Sequence, residues 1–512
     1  MSKEILKSTF TVSGMTFFSR VLGFIRDMLI ARYFGVDSAT DAFFVAFKIP
    51  NFLRRLFVEG AFAHAFVPAI TGYDQEENQA RLKLFLNNAA GSLAVLMMVG
   101  TVAGMFAAPV LVLLFAPGFI WEPRQYELSV QMLQITMPYL FFISSVAFAG
   151  GILNTFGKFG IPALTPAILN VAMIAAAIVL APLLSEPIVA LAWGVFLGGA
   201  LQLLIQFPEL ARLGLLPRLQ FDPKDPEVRR VIKMMGPALF GVSVTQINLL
   251  LDTFVASFLV TGSVSWLYYS DRLVEFPLGI LGVALATVIL PKLARNHAAN
   301  EHQAFSKTLD WGLRCLLIVG LPSMIGLIIL AEPILYTLFQ YDEFNANDVR
   351  QASSSLQGYS SGLLGFMLIK LLVPAFTSRK DVMTPMRYGL YALAANFILN
   401  WILVVPFAHG GLAYATSIAA YLNAGLLLAT LIRGGFYKPE KQWVPFFIRL
   451  IVANGLMVLA LIVVMNPLVW LEWGVTARSL GLLGSIVVAV VFYLLALYLM
   501  GFRLKQVLKP FK

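Results

Sequence analysis

The sequence predicts an all-α polytopic membrane protein. Three observations carry that prediction. The 512 residues are 59% hydrophobic and only 12% charged, where soluble domains carry about 25% charged residues. The apolar stretches run unbroken over about 20 residues, the length of a bilayer-crossing helix, whereas barrel strands would alternate over about 10. The basic residues also fall almost entirely on one side of the expected spans.

About fourteen spans are expected, near 8–34, 41–70, 84–115, 127–153, 161–182, 188–208, 230–259, 265–291, 309–338, 352–376, 384–406, 410–432, 443–465 and 477–501. With the N-terminus in the cytoplasm, 24 of the 37 basic residues lie in cytoplasmic segments, and two, Arg124 and Arg350, lie in the opposite loops. This positive-inside bias sets the orientation and puts both termini in the cytoplasm. The net charge of +10 is therefore mostly topological, and no nucleic-acid partner is expected. The first span is long, carries arginines and lacks a small-residue cleavage site, so it is not read as a cleaved signal peptide. The single cysteine, Cys315, excludes an intrachain disulfide, and the four histidines do not cluster with it. No H-E-x-x-H or aspartate-rich metal motif is present, so a transporter is expected rather than an enzyme.

The chain repeats itself. Ala61, Ala63 and Pro68 match Ala284, Ala286 and Pro291 at a spacing of 223 residues. Leu114-Phe115 recurs as Leu338-Phe339 after 224, and Pro162 as Pro385 after 223. Six spans per half put the second half on the same side as the first, so the repeat is parallel. The expected organisation is an N-lobe at 1–208, a basic cytoplasmic linker at 209–229, a C-lobe at 230–432, and two further helices within 433–512. The linker, marked by Pro217, Pro223 and Pro226, reads either as a tether or as an interfacial segment.

The chemistry concentrates in Met15–Pro68, where two long apolar spans carry Arg20, Arg26, Asp27, Asp41, Lys48, Arg54, Arg55 and Glu59. A charge near the bilayer centre costs roughly 2.5–3.5 kcal/mol even on the lenient insertion scale. These groups must line a wet cavity or pair with one another. Arg54 lies 13 residues into its span, roughly 20 Å along a helix, too deep for easy snorkelling. In the second half, Asp271, Arg272 and Glu275 occupy the place of 42–52 in the first, with Arg272 and Glu275 at i,i+3. Pro50 and Pro277 fall inside the two charged spans and mark candidate kinks.

The charges are nearly balanced, so one reading is a set of structural pairs holding long helices together. The other is an anion site. Arginines come from both halves, and the planar guanidinium grips two phosphate oxygens at once. A second polar set consists of Asp252 in span 7, Asn396 and Asn400 one turn apart in span 11, and Thr416 in span 12. These hard oxygen donors suit Na⁺ or a proton relay, or else interhelical hydrogen bonding. Lys370 reads as a cavity cation or a snorkeller, and His64 as a packing residue.

The segments FSRVLGFIRD (18–27), TDAFFVAFKIPNFLRRLFVEGAF (40–62), MGPALFGVSVTQIN (235–248) and GSVSWLYYSDRLVEFPLG (262–279) resemble the MurJ/MviN family of bacterial lipid II flippases, within the MOP exporter superfamily. The resemblance covers nearly the whole chain. It implies a V-shaped pair of six-helix lobes with a cationic central cavity, and two extra C-terminal helices forming a groove for an undecaprenyl tail. It implies export of the lipid-linked peptidoglycan precursor across the bacterial inner membrane, for cell-wall biogenesis. On matching positions, Arg26, Arg54 and Arg272 are expected to face the diphosphate. Arg20, Ser19, Asp27, Asp41, Glu59 and Ser265 are the expected functional neighbours. The Asp252, Asn396, Asn400 and Thr416 set matches a place where the family holds sodium. No organic cofactor is implied. The expected partners are lipid II, membrane lipids and the cell-wall synthesis machinery, with the chain itself a monomer. A flippase for another polyprenyl-diphosphate glycan, a multidrug or cation antiporter of the same superfamily, and a non-transporting scaffold remain the alternatives.

Overall fold

The computed structural model describes residues 3–56, 66, 68–70, 79–222, 224–440, 442–464 and 469–502. Among them there are helices and connecting turns and no strand. In a bilayer the backbone must satisfy its own hydrogen bonds, which an α-helix does within a single segment. The helices fall into two compact units, residues 1–265 and 266–512.

The first unit contains α1 (Lys3–Phe34), α2 (Ser38–Arg54), α3 (Gln79–Phe106), α4 (Ala108–Phe115), α5 (Pro123–Thr136), α6 (Tyr139–Thr155), α7 (Gly160–Ala175), α8 (Val189–Leu204), α9 (Phe207–Arg212) and α10 (Pro226–Ala256). Helix α1 packs on α7, α7 on α8, and α2 on α5. Phe66, Phe85, Leu86, Phe148, Ile152 and Leu153 form a buried cluster that also takes in Leu210, Leu215, Val228 and Val231. The segment expected as a linker is thus packed into the first unit by its own apolar residues.

The second unit continues with α11 (Ser263–Pro277), which begins at the end of the first, α12 (Val283–Ala298), α13 (His302–Ile329), α14 (Ala331–Leu338), α15 (Ala346–Ser361), α16 (Leu363–Thr377), α17 (Met383–Arg433), α18 (Trp443–Val464), α19 (Val469–Glu472) and α20 (Val475–Leu499). Pro277 ends α11 in a π-helical turn over Leu278–Gly282, the kind of local rearrangement expected where a proline removes a ladder hydrogen bond. Helices α18 and α20 pack on each other and reach the unit through α13 and α14. Their outer faces, including Ile451, Val463, Leu483 and Val491, stay exposed. Tyr493 donates to the Ile318 carbonyl at 2.6 Å, and buried Arg478 donates to the carbonyls of Tyr336, Gln340, Trp470 and Leu471. At the start of α18, Asp310 accepts from Tyr437 and Trp443 and pairs with Arg314 at 2.8 Å.

Nine helical runs among the described residues are long and apolar enough to cross a membrane by length and composition. The charged helices α1, α2, α10 and α11 are not among those nine. The run α17 is 51 residues long but is not straight. Ala408 has non-helical dihedrals, φ 48° and ψ −133°. Tyr388 and Thr430 hydrogen-bond at 2.6 Å, and the Phe407 ring lies tilted 5.6 Å from Tyr414. A Cβ on Gly411 would overlap the Leu403 carbonyl. Contacts between residues 42 apart along the run require a helical hairpin, with its turn at the break expected between 406 and 410.

This hairpin generates a prediction. Gly411→Val forces the Leu403 backbone away from the turn, and overpacking of this kind costs about 1–3 kcal/mol. We expect a lower melting temperature by fluorescence-detected size exclusion in detergent. An unchanged melting temperature would contradict the close approach at the turn.

Candidate functional site

The charged face of α1 is set by spacing. Ser19 and Arg26 lie seven residues apart, two turns on one side of a helix, and both are buried, as is Asp27. Arg26 donates to Asp27 Oδ1 from Nε at 2.9 Å and from its terminal nitrogen at 2.5 Å. Its other terminal nitrogen donates to Asn170 Oδ1 on α7 at 3.0 Å, and its guanidinium lies 5.9 Å from the Phe47 ring centre. Asn170 in turn donates to the Ser19 carbonyl at 3.0 Å. One amide therefore bridges the backbone of α1 to the arginine two turns on. Sequence reasoning missed Asn170, although a lone asparagine in the apolar run PAILNVAMIA was the available signal.

Helix α2 begins at Asp37, whose carboxylate caps the Thr40 amide at 2.8 Å. Asp41, one turn inside, is buried. Its Oδ1 accepts from the Ser265 amide at 2.8 Å and the Ser265 hydroxyl at 2.6 Å, and its Oδ2 from the Gly262 amide at 2.7 Å. These donors flank the N-terminus of α11, where unpaired amides favour an anion. Gly262 has φ +97°, a conformation open to glycine that turns both amides onto one carboxylate. The sequence-expected neighbours Asp41 and Ser265 are thus in direct contact.

Further along α2, Lys48 donates to the Thr253 hydroxyl on α10. Arg54 is half-buried and donates to Asn51 Oδ1 at 3.3 Å. Arg20 is exposed on α1. Glu59 and His64 lie outside the described residues. In the second unit, Arg272 pairs with Glu275 at 2.8 Å across one helical turn and stacks 5.6 Å from the Tyr268 ring. The start of α11 is held by its own unit as well. Trp266 donates to Asp348 at 3.1 Å, and Ser270 to the Ala352 carbonyl at 2.7 Å. Lys370 is exposed.

The second polar set divides by unit. Asp252 is buried in the first. Asn396 and Asn400 are fully buried in the second, with the Thr416 hydroxyl 3.5 Å from Asn396 Oδ1 across the α17 hairpin. The structure therefore brings two hard, neutral oxygen donors, Asn396 and Thr416, together across the two arms of one hairpin, with Asn400 buried one turn beyond Asn396. Among the described residues no three His, Cys, Asp or Glu side chains converge as a metal cluster.

The buried pair on α1 generates a prediction. Removing one partner of a buried ion pair costs about 3–5 kcal/mol, whereas replacing both by apolar groups is often neutral. Asp27→Ala should lower the melting temperature strongly, and Arg26→Met with Asp27→Leu should restore it. A double variant as unstable as the single one would show that the pair is not the unit of stability.

Residues 30–502 match the family model described as lipid II flippase MurJ. A curated relative, the probable lipid II flippase MurJ of Vibrio cholerae serotype O1, is 48% identical over 99% of this chain and 98% of its own length. The lipid II flippase MurJ of Burkholderia cenocepacia is 40% identical over 88% of each chain. Among solved structures, a lipid II flippase MurJ in an inward closed conformation superposes with a TM-score of 0.80 at 27% identity, over 95% of this chain and 98% of that one. An inward-facing multidrug resistance transporter of the MATE family, in the MOP superfamily, shares the fold with a TM-score of 0.67 at 14% identity over 83% of this chain and 98% of its own. Matched along nearly its whole length, the chain belongs to the MurJ family of lipid II flippases.

Proposed function

We propose that this chain flips lipid II, the undecaprenyl-diphosphate-linked peptidoglycan precursor, from the inner to the outer leaflet of the bacterial inner membrane. It is a transporter rather than an enzyme. The observation that carries this is the 48% identity to a curated lipid II flippase across 99% of the chain. The chemistry agrees, because the substrate is an amphiphile with an anionic head, and the intramembrane arginines suit that head while the tail stays in lipid. A cationic-drug antiporter would favour an acidic or aromatic lining, so the fold shared with the MATE transporter does not carry that alternative.

The proposed mechanism is alternating access in which the diphosphate exchanges with internal counter-ions. Arg26 is held by Asp27 and Asn170, Arg54 by Asn51, and Arg272 by Glu275. A diphosphate offers more oxygens and more charge than either carboxylate. Binding therefore releases Asp27 and Glu275, and departure of the substrate lets them return. Arg20, Ser19, Asp41, Ser265 and Glu59 are proposed as functional neighbours of these arginines. We keep the organisation of about fourteen spans, with lobes at 1–208 and 230–432 joined by 209–229, a tail-binding pair at 433–512, and both termini cytoplasmic.

The coupling ion is proposed to be Na⁺ or H⁺. Asn396, Asn400 and Thr416 offer oxygen atoms within the second unit, and Asp252 offers a carboxylate within the first. A bound cation would supply positive charge, and each of these groups is a candidate to hold it within its own unit.

Two experiments test this reading. Cells depleted of their own lipid II flippase receive the intact chain or Arg26→Ala, Arg54→Ala or Arg272→Ala, with membrane levels measured. Rescue by the parent and loss by well-expressed variants is expected. Failure of the intact chain would favour another diphosphate-linked glycan, and full rescue by the variants would make the arginines structural. In the second, reconstituted flipping is compared with and without a Na⁺ gradient, for the parent and Asp252→Asn. We expect Asp252→Asn to abolish dependence on the cation gradient, and equal rates in all four arms would sink the Na⁺ proposal.

A further inference from the structure

The segment that follows α9 forms a strap fastened to α3. Residues 215–222 are non-helical. The Arg218 amide donates to Asn87 Oδ1 at 2.7 Å and the Gln220 amide to the Asn87 carbonyl at 3.2 Å. Asn88 donates to Asp225 at 2.8 Å, just beyond the strap. A Cβ on Gly91 would overlap the Gln220 backbone, so glycine there lets the strap lie directly on the helix. Leu215 turns inward and is buried, whereas Leu216, Leu219 and Phe221 are 47%, 71% and 59% exposed.

Two features of α3 place this strap in depth. Lys83 is the last charged residue before an uncharged run that continues to Phe106. Gly91 lies eight residues further on, roughly 12 Å along the helix at 1.5 Å per residue. A backbone seated on Gly91 is therefore beside the apolar part of α3, at the depth where interfacial segments bury their apolar faces. The exposed bases nearby in sequence are Arg81, Lys83, Arg212, Arg218, Lys224, Arg229 and Arg230. Against them stand Asp222, whose carboxylate accepts the Lys224 amide, Asp225, which accepts from Asn88, Glu227, paired with Arg230, and Glu209, paired with Lys158 and Arg212. The balance is cationic, on a surface whose apolar side chains face away from the protein.

We propose that residues 215–222 are an interfacial anchor that inserts Leu219 and Phe221 into the cytoplasmic leaflet and binds anionic phospholipid headgroups through Arg218 and Lys224. The proposal rests on the cytoplasmic placement of this segment in the reading above. The strap fixes the first unit in depth against the leaflet from which the substrate is taken. Its tether to Asn87 and Gly91 distinguishes it from a flexible basic loop, since the apolar side chains are presented in one fixed register.

Leu219→Cys and Phe221→Cys, each in a Cys315→Ser background, carry a nitroxide after reconstitution. Vesicles are of phosphatidylcholine alone or with phosphatidylglycerol. We expect collision with oxygen to exceed collision with a water-soluble nickel chelate at both sites, and more so with phosphatidylglycerol. Arg218→Gln and Lys224→Gln should each reduce the inserted population by about fivefold, the weight of one basic residue at an anionic surface. Nitroxides in water under both conditions, or insertion indifferent to phosphatidylglycerol and to both glutamine variants, would overturn the proposal. Labelling of intact cells with an impermeant thiol reagent separates the two claims. Reaction of Leu219→Cys from outside would overturn the orientation beneath the proposal, while protection from outside combined with water-exposed nitroxides would overturn the anchor alone.

Discussion

A charge cannot stand bare in hydrocarbon, and that constraint governs the helices of this protein. Arg26, Asp41, Lys48 and Arg272 each meet polar groups of the same chain. Several of these partners are themselves devices for tolerating charge: an asparagine aimed across two helices, amides at a helix N-terminus, and a carboxylate one turn away. Such contacts make insertion of charged helices tolerable, because the alternative cost of several kcal/mol per group falls on folding. They also mean that the cations are already occupied before any substrate arrives.

Occupied cations change what substrate binding means. An anion entering a bare cationic cavity would gain most of its energy from neutralising the cavity, and the empty cavity would be hard to reset. If Asp27 and Glu275 act as internal counter-ions, the empty protein carries its own neutralising charge, and the substrate contributes only a difference in affinity. A transporter needs such a modest difference, since only differential binding between states shifts a conformational equilibrium. The membrane potential then acts on the diphosphate itself, at roughly 2.3 kcal/mol per charge per 100 mV, favouring its exit from a negative interior.

Much of this was legible in the sequence, for identifiable reasons. Unpaired-looking charges inside apolar spans, from Arg20 to Arg55 and again at 271–275, are visible without any structure because lipid forbids them. The break between 406 and 410 was visible because two apolar stretches met there at a proline and a glycine pair, and the hairpin turns at Ala408. The partners were harder to see. Asn170 is 144 residues from Arg26, and nothing in local spacing joins them. Asp41 and Ser265 were both expected at the site, but the contact between them depends on the φ of Gly262, which the sequence leaves open. The strap reads from sequence as either a tether or an interfacial segment, because its composition is basic and proline-rich. Its docking depends on Gly91, one glycine among 39.

The C-terminal pair α18 and α20 shows the same logic outside the charged spans. Apolar surfaces gain little from meeting each other in lipid, because acyl chains are equally apolar. Packing alone would leave the pair free to exchange protein neighbours for lipid. The polar contacts decide otherwise. Asp310 and Arg314 hold the start of α18, where Arg314 also pairs with Glu440 at 3.1 Å and lies 5.3 Å from the Trp443 ring centre. Arg478 holds the start of α20 by donating to carbonyls near the C-terminal end of α14, where a cation also meets the negative end of a helix dipole. Tyr493 holds α20 to α13 further along. Each contact sacrifices a hydrogen bond if the helices slide, and in hydrocarbon no water replaces it. The pair is therefore fastened to the second unit by polar contacts as well as by apolar packing.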